Sequence, residues 1–502
     1  MTTAAELLAQ DFGSFAELIH AHASERPDAE AVIAGDVRLT YADLDRLGDR
    51  IAAQLQAKGL KSGESVAVCG LNGWAYAALW VGILRAGGCV APFAQSSTPD
   101  ALRLMLDDSG ARIFFADADI RAAMDVPEGV ETVTLDDDDT FNAWLPAEGS
   151  KPEPVALDPK QGFNIIYSSG TTGTPKGIVM PQEMRWRQVR ALFTSPDTVS
   201  ILSTPLYSNT TLVVFLPTLA SGGKVVLMKK FNTVEFLTLS EREKVTATML
   251  VPVQYKRLMA EPRFDEFDLS AYQMKFCTSA PFAAELKAEV LKRWPGGLVE
   301  FYGMTEGGGS CVLRAHEFPD KLHTVGQPMP DHDIRLIDEE GNEVPTGEIG
   351  EIVGRSGTMM KGYKNQPEKT REGEWYDSEG NRFIRTGDVG RFDEDGFLTL
   401  MDRRKDMIIS GGFNIYPSDL EAVVKEHPDV DEVAVIGVAS EDWGETPVGV
   451  VVGPRDAEVV RSWANERLGK TQRLSAVYIV DELPRSAIGK VLKRELREKL
   501  AL

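Results

Sequence analysis

Apolar and polar positions follow two periods along this chain. Phe15-Ala-Glu-Leu-Ile-His-Ala-His22 and the stretch from Tyr41 to Ala53 carry apolar residues three and four apart, which predicts two amphipathic helices, the second capped by Thr40. Short apolar runs alternate with them and read as buried strands: Ala31 to Ala34, Ser65 to Cys69, Ala111 to Ala116, Val199 to Leu202, Lys224 to Leu227 and Thr246 to Val251. An apolar helix is expected after Cys69 through Ala86, and an amphipathic one from Ala283 to Trp294. Strand and helix alternate, so the fold class is α/β, built in layers.

Near Asp402 a basic cluster replaces the Gly-punctuated strands, and the last hundred or so residues have a βα rhythm of their own. Leu420 to Glu426 predicts a helix, Glu432 to Gly437 and Val448 to Val452 predict strands, and Val491 to Leu500 predicts a charged helix. The boundary is placed at 402 to 405, dividing the chain into a large N-terminal domain of layered α/β subdomains (1–402) and a small C-terminal α+β domain (403–502).

Composition narrows the function. A net charge of −22 argues against a nucleic-acid partner, which needs a cationic face. It leaves small anions open, since a local patch suffices for them. No apolar run reaches the ~18 residues of a membrane span, and the N-terminus lacks a leader pattern, so a cytoplasmic location is expected. Cys69, Cys89, Cys277 and Cys311 lack metal-ligand spacing and are expected to be buried free thiols. The acidic run Asp136 to Asp139 is read as a solvated charge run rather than a metal site.

The densest chemistry lies at residues 167 to 177, Tyr-Ser-Ser-Gly-Thr-Thr-Gly-Thr-Pro-Lys-Gly. Gly170 and Gly173 free the backbone so that its N–H groups can converge on an anion, Ser168, Ser169, Thr171 and Thr172 add hydroxyls, and Lys176 supplies a point charge. The loop is not the P-loop of nucleoside triphosphatases. Pro175 stands before the lysine and Gly177 after it, so the Gly-Lys pair and the following metal-binding hydroxyl are both missing.

Four further strings follow: Phe301-Tyr-Gly-Met-Thr-Glu306, Arg385-Thr-Gly-Asp388, Asp402-Arg-Arg-Lys-Asp406 with Ser410-Gly-Gly412, and Pro484-Arg-Ser-Ala-Ile-Gly-Lys490. With the loop they stand in the order and at the separations of the adenylate-forming superfamily, which the chain resembles over nearly its whole length. That resemblance implies a mobile small domain and a two-step reaction with ATP, Mg²⁺ and CoA. A small-molecule carboxylic acid attacks the α-phosphate of ATP to give acyl-AMP, and a thiol then displaces AMP.

It also implies roles for residues. Thr171, Thr172 and Lys176 would hold the β- and γ-phosphates and Glu306 the magnesium. Lys490 would bridge the carboxylate and the α-phosphate. Tyr302 would stack on adenine beside Ser279, Ala280 and Gly303, with the Thr305 hydroxyl on the AMP phosphate. Asp388 and Arg403 would take the ribose hydroxyls. Lys405 falls on the hinge, and Ser410, Gly411 and Gly412 on the loop that admits the thiol.

The acid pocket, by the same resemblance, includes Tyr207, Ser208, Asn209, Thr278, Gly307 and Gly308, and the glycines 307 to 309 are expected to leave room for a ring or bulky acyl group. Ser208 stands where many CoA ligases of the family carry histidine, and none of the six histidines lies in a recognised motif. No aspartate stands between Leu202 and Leu216 to pair with a substrate amine, and no carrier-protein segment is expected after Leu502. A freestanding ligase charging CoA with an aryl, arylpropenoate or medium acyl acid is therefore expected. The alternatives are an adenylating enzyme serving a carrier protein or other acceptor, and a silent nucleotide-binding protein. Trp443 has two readings, a half-buried surface residue or a platform for the CoA adenine. A homodimer and a lysine acyltransferase acting on Lys490 remain open as partners.

Overall fold

The computed structural model describes residues 2–168, 176–191, 194–280, 282–338, 340–400, 408–415, 417–453, 456–484 and 493–500, with the side chains of 168, 191, 414, 418 and 494 not described. The described residues form four sheets. The first has nine strands and a parallel centre in which Val199–Leu202, Ala247–Leu250, Met274–Cys277 and Gly297–Gly303 lie side by side. The second has seven, with Ser65–Cys69, Cys89–Pro92 and Gly162–Ser168 at its centre.

Helices fill the layer between these two sheets. Trp74–Arg85 is buried along ten consecutive positions, as expected of a helix apolar on every side, and it packs beside Tyr41–Ala57. Side chains of both sheets and of the helices Phe15–Glu25, Tyr41–Ala57, Trp74–Arg85 and Asn209–Ala220 merge into one continuous core. Thr40 caps its helix as the sequence predicts, accepting from the Asp43 N–H while the Asp43 carboxylate accepts from Thr40.

A third, antiparallel sheet is made by Asp333–Ile337, Gly350–Arg355, Arg382–Phe392, Glu374–Tyr376 and Leu398–Leu400. The C-terminal domain holds the fourth, with Glu432–Ser440 and Gly444–Val452 as its long hairpin and its own apolar clusters. The layered α/β domain and the smaller C-terminal domain are both present. The expected boundary and hinge, including Arg403 and Lys405, lie outside the described residues.

The Asp136 to Asp139 run is exposed, as the sequence predicts, and it also starts a helix: Asp137 caps Asp138–Trp144 by accepting from the Asp139 and Thr140 N–H groups. The strands expected at 111–116 and 246–251 are shorter, Ile113–Ala116 and Ala247–Leu250. A capped first helix, Ala4–Leu8, was not expected. All four cysteines are buried free thiols, and burial pushes the Cys89 thiol up to about 12.

Candidate active site

In a layered α/β fold, ligand groups collect where parallel strands end at their carboxyl sides, because the loops there converge. Most of the sequence-derived site residues fall at such ends. Gly162–Ser168 leads into the hydroxyl-rich loop, whose Ser169, Gly170, Thr171, Thr172 and Gly173 lie outside the described residues, as does Lys490. Met274–Cys277 leads to Thr278, Ser279 and Ala280, Gly297–Gly303 to Thr305 and Glu306, and Val199–Leu202 to the 203–208 segment carrying Tyr207.

Lys176 and Glu306 are brought together through a residue the sequence reading missed. Tyr363 donates its hydroxyl to Glu306 Oε1 at 2.8 Å, and Lys176 Nζ lies 5.5 Å from the centre of the same ring. Backbone bonds hold this cluster. The Met360 N–H donates to the Glu306 carbonyl at 2.7 Å and the Lys364 N–H to the Gly177 carbonyl at 2.7 Å, so residues 360 to 364 stitch the Glu306 loop to the strand that begins at Lys176. Burial pushes the Glu306 carboxyl above its ordinary value, against the opposing pull of the Tyr363 hydroxyl and the Lys176 charge. A carboxyl so placed gains from a cation.

Tyr302 donates its hydroxyl to Asp388 at 2.9 Å, and Asp388 is set by its own N–H donating to Thr386 Oγ1 at 3.0 Å. The two residues assigned to adenine and ribose thus touch. Burial first, and Asp388 second, push the Tyr302 phenol well up. Ser279 shares a 2.7 Å hydrogen bond with Thr210 and has a φ of +80°, a conformation rare for a residue with a side chain and a marker of functional loops.

The 203–208 segment is hung from the other sheet by Asn72, a second residue the sequence did not reveal. Buried Asn72 donates to the Thr204 and Met228 carbonyls at 2.9 and 3.1 Å and accepts from the Leu206 N–H at 2.8 Å. Tyr207 comes next, with the Ser96 side chain near its hydroxyl. Ser208, where a histidine is common, is the N-cap of Asn209–Ala220 and accepts from the Thr210 N–H at 3.3 Å. Among the described residues, the buried Asn209 Oδ1 has no hydrogen-bond partner.

The expectation that glycines 307 to 309 leave space for an acyl group is corrected. A Cβ on Gly307 would stand 1.8 Å from the Thr358 carbonyl oxygen, and one on Gly308 2.7 Å from Ile384 Cβ. Protein fills that volume. These glycines serve the close approach of the 354–358 segment, and Gly307 also needs its φ of +77°.

In the C-terminal domain, Gly411 and Gly412 have φ values of +59° and +84°, and a Cβ on Gly412 would meet Val251 at 3.0 Å. The loop assigned to thiol entry therefore abuts the end of Ala247–Leu250 in the large domain. Buried Ser410 precedes it.

Residues 19–364 match the AMP-binding enzyme model and 419–490 the C-terminal domain model of the same enzymes. The chain belongs to the AMP-binding, adenylate-forming enzymes. A feruloyl-CoA synthase of an Amycolatopsis species is 36% identical over 94% of this chain and 96% of its own length. An amide bond synthetase, McbA of Marinactinospora thermotolerans, superposes with a TM-score of 0.86 at 27% identity over 97% of this chain and 99% of that one. For the o-succinylbenzoate CoA synthetase MenE of Bacillus subtilis, 25% identical, a double mutant bound to a CoA product analogue gives 0.85 over 96% of this chain and 98% of that one. The same enzyme holding its acyl-adenylate gives 0.69 over 96% and 97%. Like other adenylate-forming CoA ligases, this enzyme is an AMP-forming acid–thiol ligase. No helix among the described residues is long and apolar enough to cross a membrane.

Proposed function

We propose that the chain joins an aryl or arylpropenoate carboxylic acid to CoA at the expense of ATP. The observation that carries this reading is the meeting of Lys176 and Glu306 on Tyr363 at the foot of the hydroxyl-rich loop, in a chain with a feruloyl-CoA synthase relative along nearly its full length. In the first step a substrate carboxylate oxygen attacks the α-phosphorus of ATP, the bond to the β-phosphate oxygen breaks, and pyrophosphate leaves. Two anions meet, so positive charge must be gathered around the reacting phosphorus. Lys176 and the loop residues Thr171 and Thr172 hold the outer phosphates, and Lys490 of the 403–502 domain neutralises the carboxylate and α-phosphate together. Tyr302 and Asp388, already in contact, receive adenine and ribose with Arg403.

Glu306 fits a magnesium ion. Its partly buried carboxyl is a hard oxygen donor whose charged form burial disfavours, so a cation beside it is favourable. When bound, that ion supplies charge neutralisation on the phosphates. By donating to it, Tyr363 favours the ionised form of the Glu306 carboxyl against the effect of burial. Tyr363→Phe should raise the Glu306 pKa further, cut adenylation about tenfold, and move the acid limb of the rate profile to higher pH, so that part of the loss returns as pH rises; pyrophosphate release measured across pH checks this.

In the second step the CoA sulfur attacks the acyl carbon, the bond from that carbon to the AMP phosphate oxygen breaks, AMP leaves, and the thiol proton passes to solvent. The likeness to an amide bond synthetase favours one rival, in which an amine takes the place of the thiol. AMP release with a panel of aryl, arylpropenoate and medium acyl acids, with CoA or a primary amine present, separates the two. CoA-dependent release, fastest with the aryl or arylpropenoate acids, is expected. Release dependent on the amine instead of CoA would replace this reading by the rival.

A further inference from the structure

The small domain meets the large one at two points, through Arg257 and Gly469, to which the two-step reading gives no role. Gly411 donates its N–H to the Trp443 carbonyl at 2.8 Å, and a Cβ on Gly411 would stand 2.8 Å from the Trp443 ring, so the 410–412 loop and the 441–443 turn move as one piece. Arg257, in the last turn of the large-domain helix Pro252–Met259, donates from Nη2 to the Asp442 carbonyl at 2.8 Å and lies 5.5 Å from the centre of the Trp443 ring. Trp443 is half exposed and owes this large-domain contact to Arg257. At a second point Gly469 is lodged against the large domain: a Cβ there would stand 2.4 Å from the Ser96 carbonyl oxygen. Ser96 also has its side chain near the Tyr207 hydroxyl.

Over its whole length the chain superposes better on the CoA-product-analogue complex of a MenE double mutant, with a TM-score of 0.85, than on the acyl-adenylate complex of MenE, with 0.69. We propose that Arg257, clamping the 441–443 turn, and Gly469, seated on Ser96, are positioning residues that hold the small domain in the arrangement that passes the acyl group to the thiol. Neither touches the reacting atoms. Their contacts exist only while the lobes are docked in this way, so their free energy biases the docked population and not the chemistry of adenylation. The Gly469 contact also places the docked domain one residue from the acid-pocket wall, so docking and Tyr207 share Ser96.

The proposal rests on the CoA-ligase reading, and its test separates the two. Wild type, Arg257→Ala, Arg257→Lys and Gly469→Ala are each assayed for pyrophosphate release from acid and ATP without CoA, and for thioester formation from supplied acyl-AMP and CoA. Arg257→Ala should slow thioester formation about fivefold and Gly469→Ala about tenfold or more, both within about twofold of wild type in pyrophosphate release, and Arg257→Lys should recover most of the loss by keeping a cationic donor. Equal losses in both half-reactions, or no loss in either, would overturn the role. Wild type that releases pyrophosphate but makes no thioester would fail the CoA reading itself, and with it this inference.

Discussion

Replacing Lys490 by alanine is expected to lower acyl-AMP formation by about 10²–10³-fold while leaving thioester formation from supplied acyl-AMP within about threefold of wild type. Adenylation brings a carboxylate onto a phosphate that already bears negative charge, and a compact ammonium on both is worth most where the bond forms. In the thiol step AMP departs as an anion from a neutral acyl carbon, and no such meeting of charges occurs. The two half-reactions therefore weigh this lysine differently. Single-turnover measurement of pyrophosphate release and of thioester formation on the same preparation provides the check, and a parallel loss in both would remove Lys490 from the first step. Acylation of Lys490, which discharges the amine, should reproduce the alanine phenotype.

The largest effect on stability is expected at a buried ion pair beneath the nucleotide residues. Lys287, on the helix Ala284–Arg293, is ion-paired with Glu300 on the strand Gly297–Gly303, and both side chains are at most 4% exposed. The Lys287 ammonium also donates to the Leu322 and Thr324 carbonyls at 2.7 and 3.1 Å. Burial pushes the Glu300 carboxyl up, and Lys287 holds it down. Lys287→Ala leaves that carboxyl without its counter-charge, at a cost of about 3–5 kcal/mol. The double replacement Lys287→Met with Glu300→Leu removes both charges and keeps the volume, and should lie within about 2 kcal/mol of wild type. Urea unfolding midpoints of the single and double variants test this, and a double variant no better than Lys287→Ala would show that the pair supplies more than mutual neutralisation. Because Glu300 lies two residues before Tyr302, the single variant should also weaken ATP binding.

What could be read from the sequence was whatever periodicity or a dense motif encodes locally. Ser65–Cys69, Val199–Leu202 and Lys224–Leu227 appear with the expected bounds, since each is a short apolar run closed by polar or turn residues. Thr40 announced its helix through cap chemistry. Tyr363 was hidden for the opposite reason. Its strand, Gly362–Tyr363, has two residues, too few to show a period, and its partner Glu306 is 57 positions away. Asn72 was invisible because a buried amide that bridges two sheets looks in sequence like any loop asparagine; its bond to Thr204 spans 132 positions. The helix Ala284–Arg293 was correctly expected to be amphipathic, yet Lys287 lies on its buried side, where only the strand beneath explains a charge.

The glycines after Glu306 misled because composition reports a missing side chain and not what occupies its place. Gly308 and Gly354 face each other so closely that a Cβ on Gly354 would come within 1.5 Å of the Gly308 carbonyl oxygen. For anyone redesigning the acid preference of this enzyme, that seam is closed ground. Libraries that add bulk at 307, 308 or 354 should return poorly folded protein instead of new selectivity, and diversity is better spent around Tyr207 and Asn209, the residues proposed for the acid pocket.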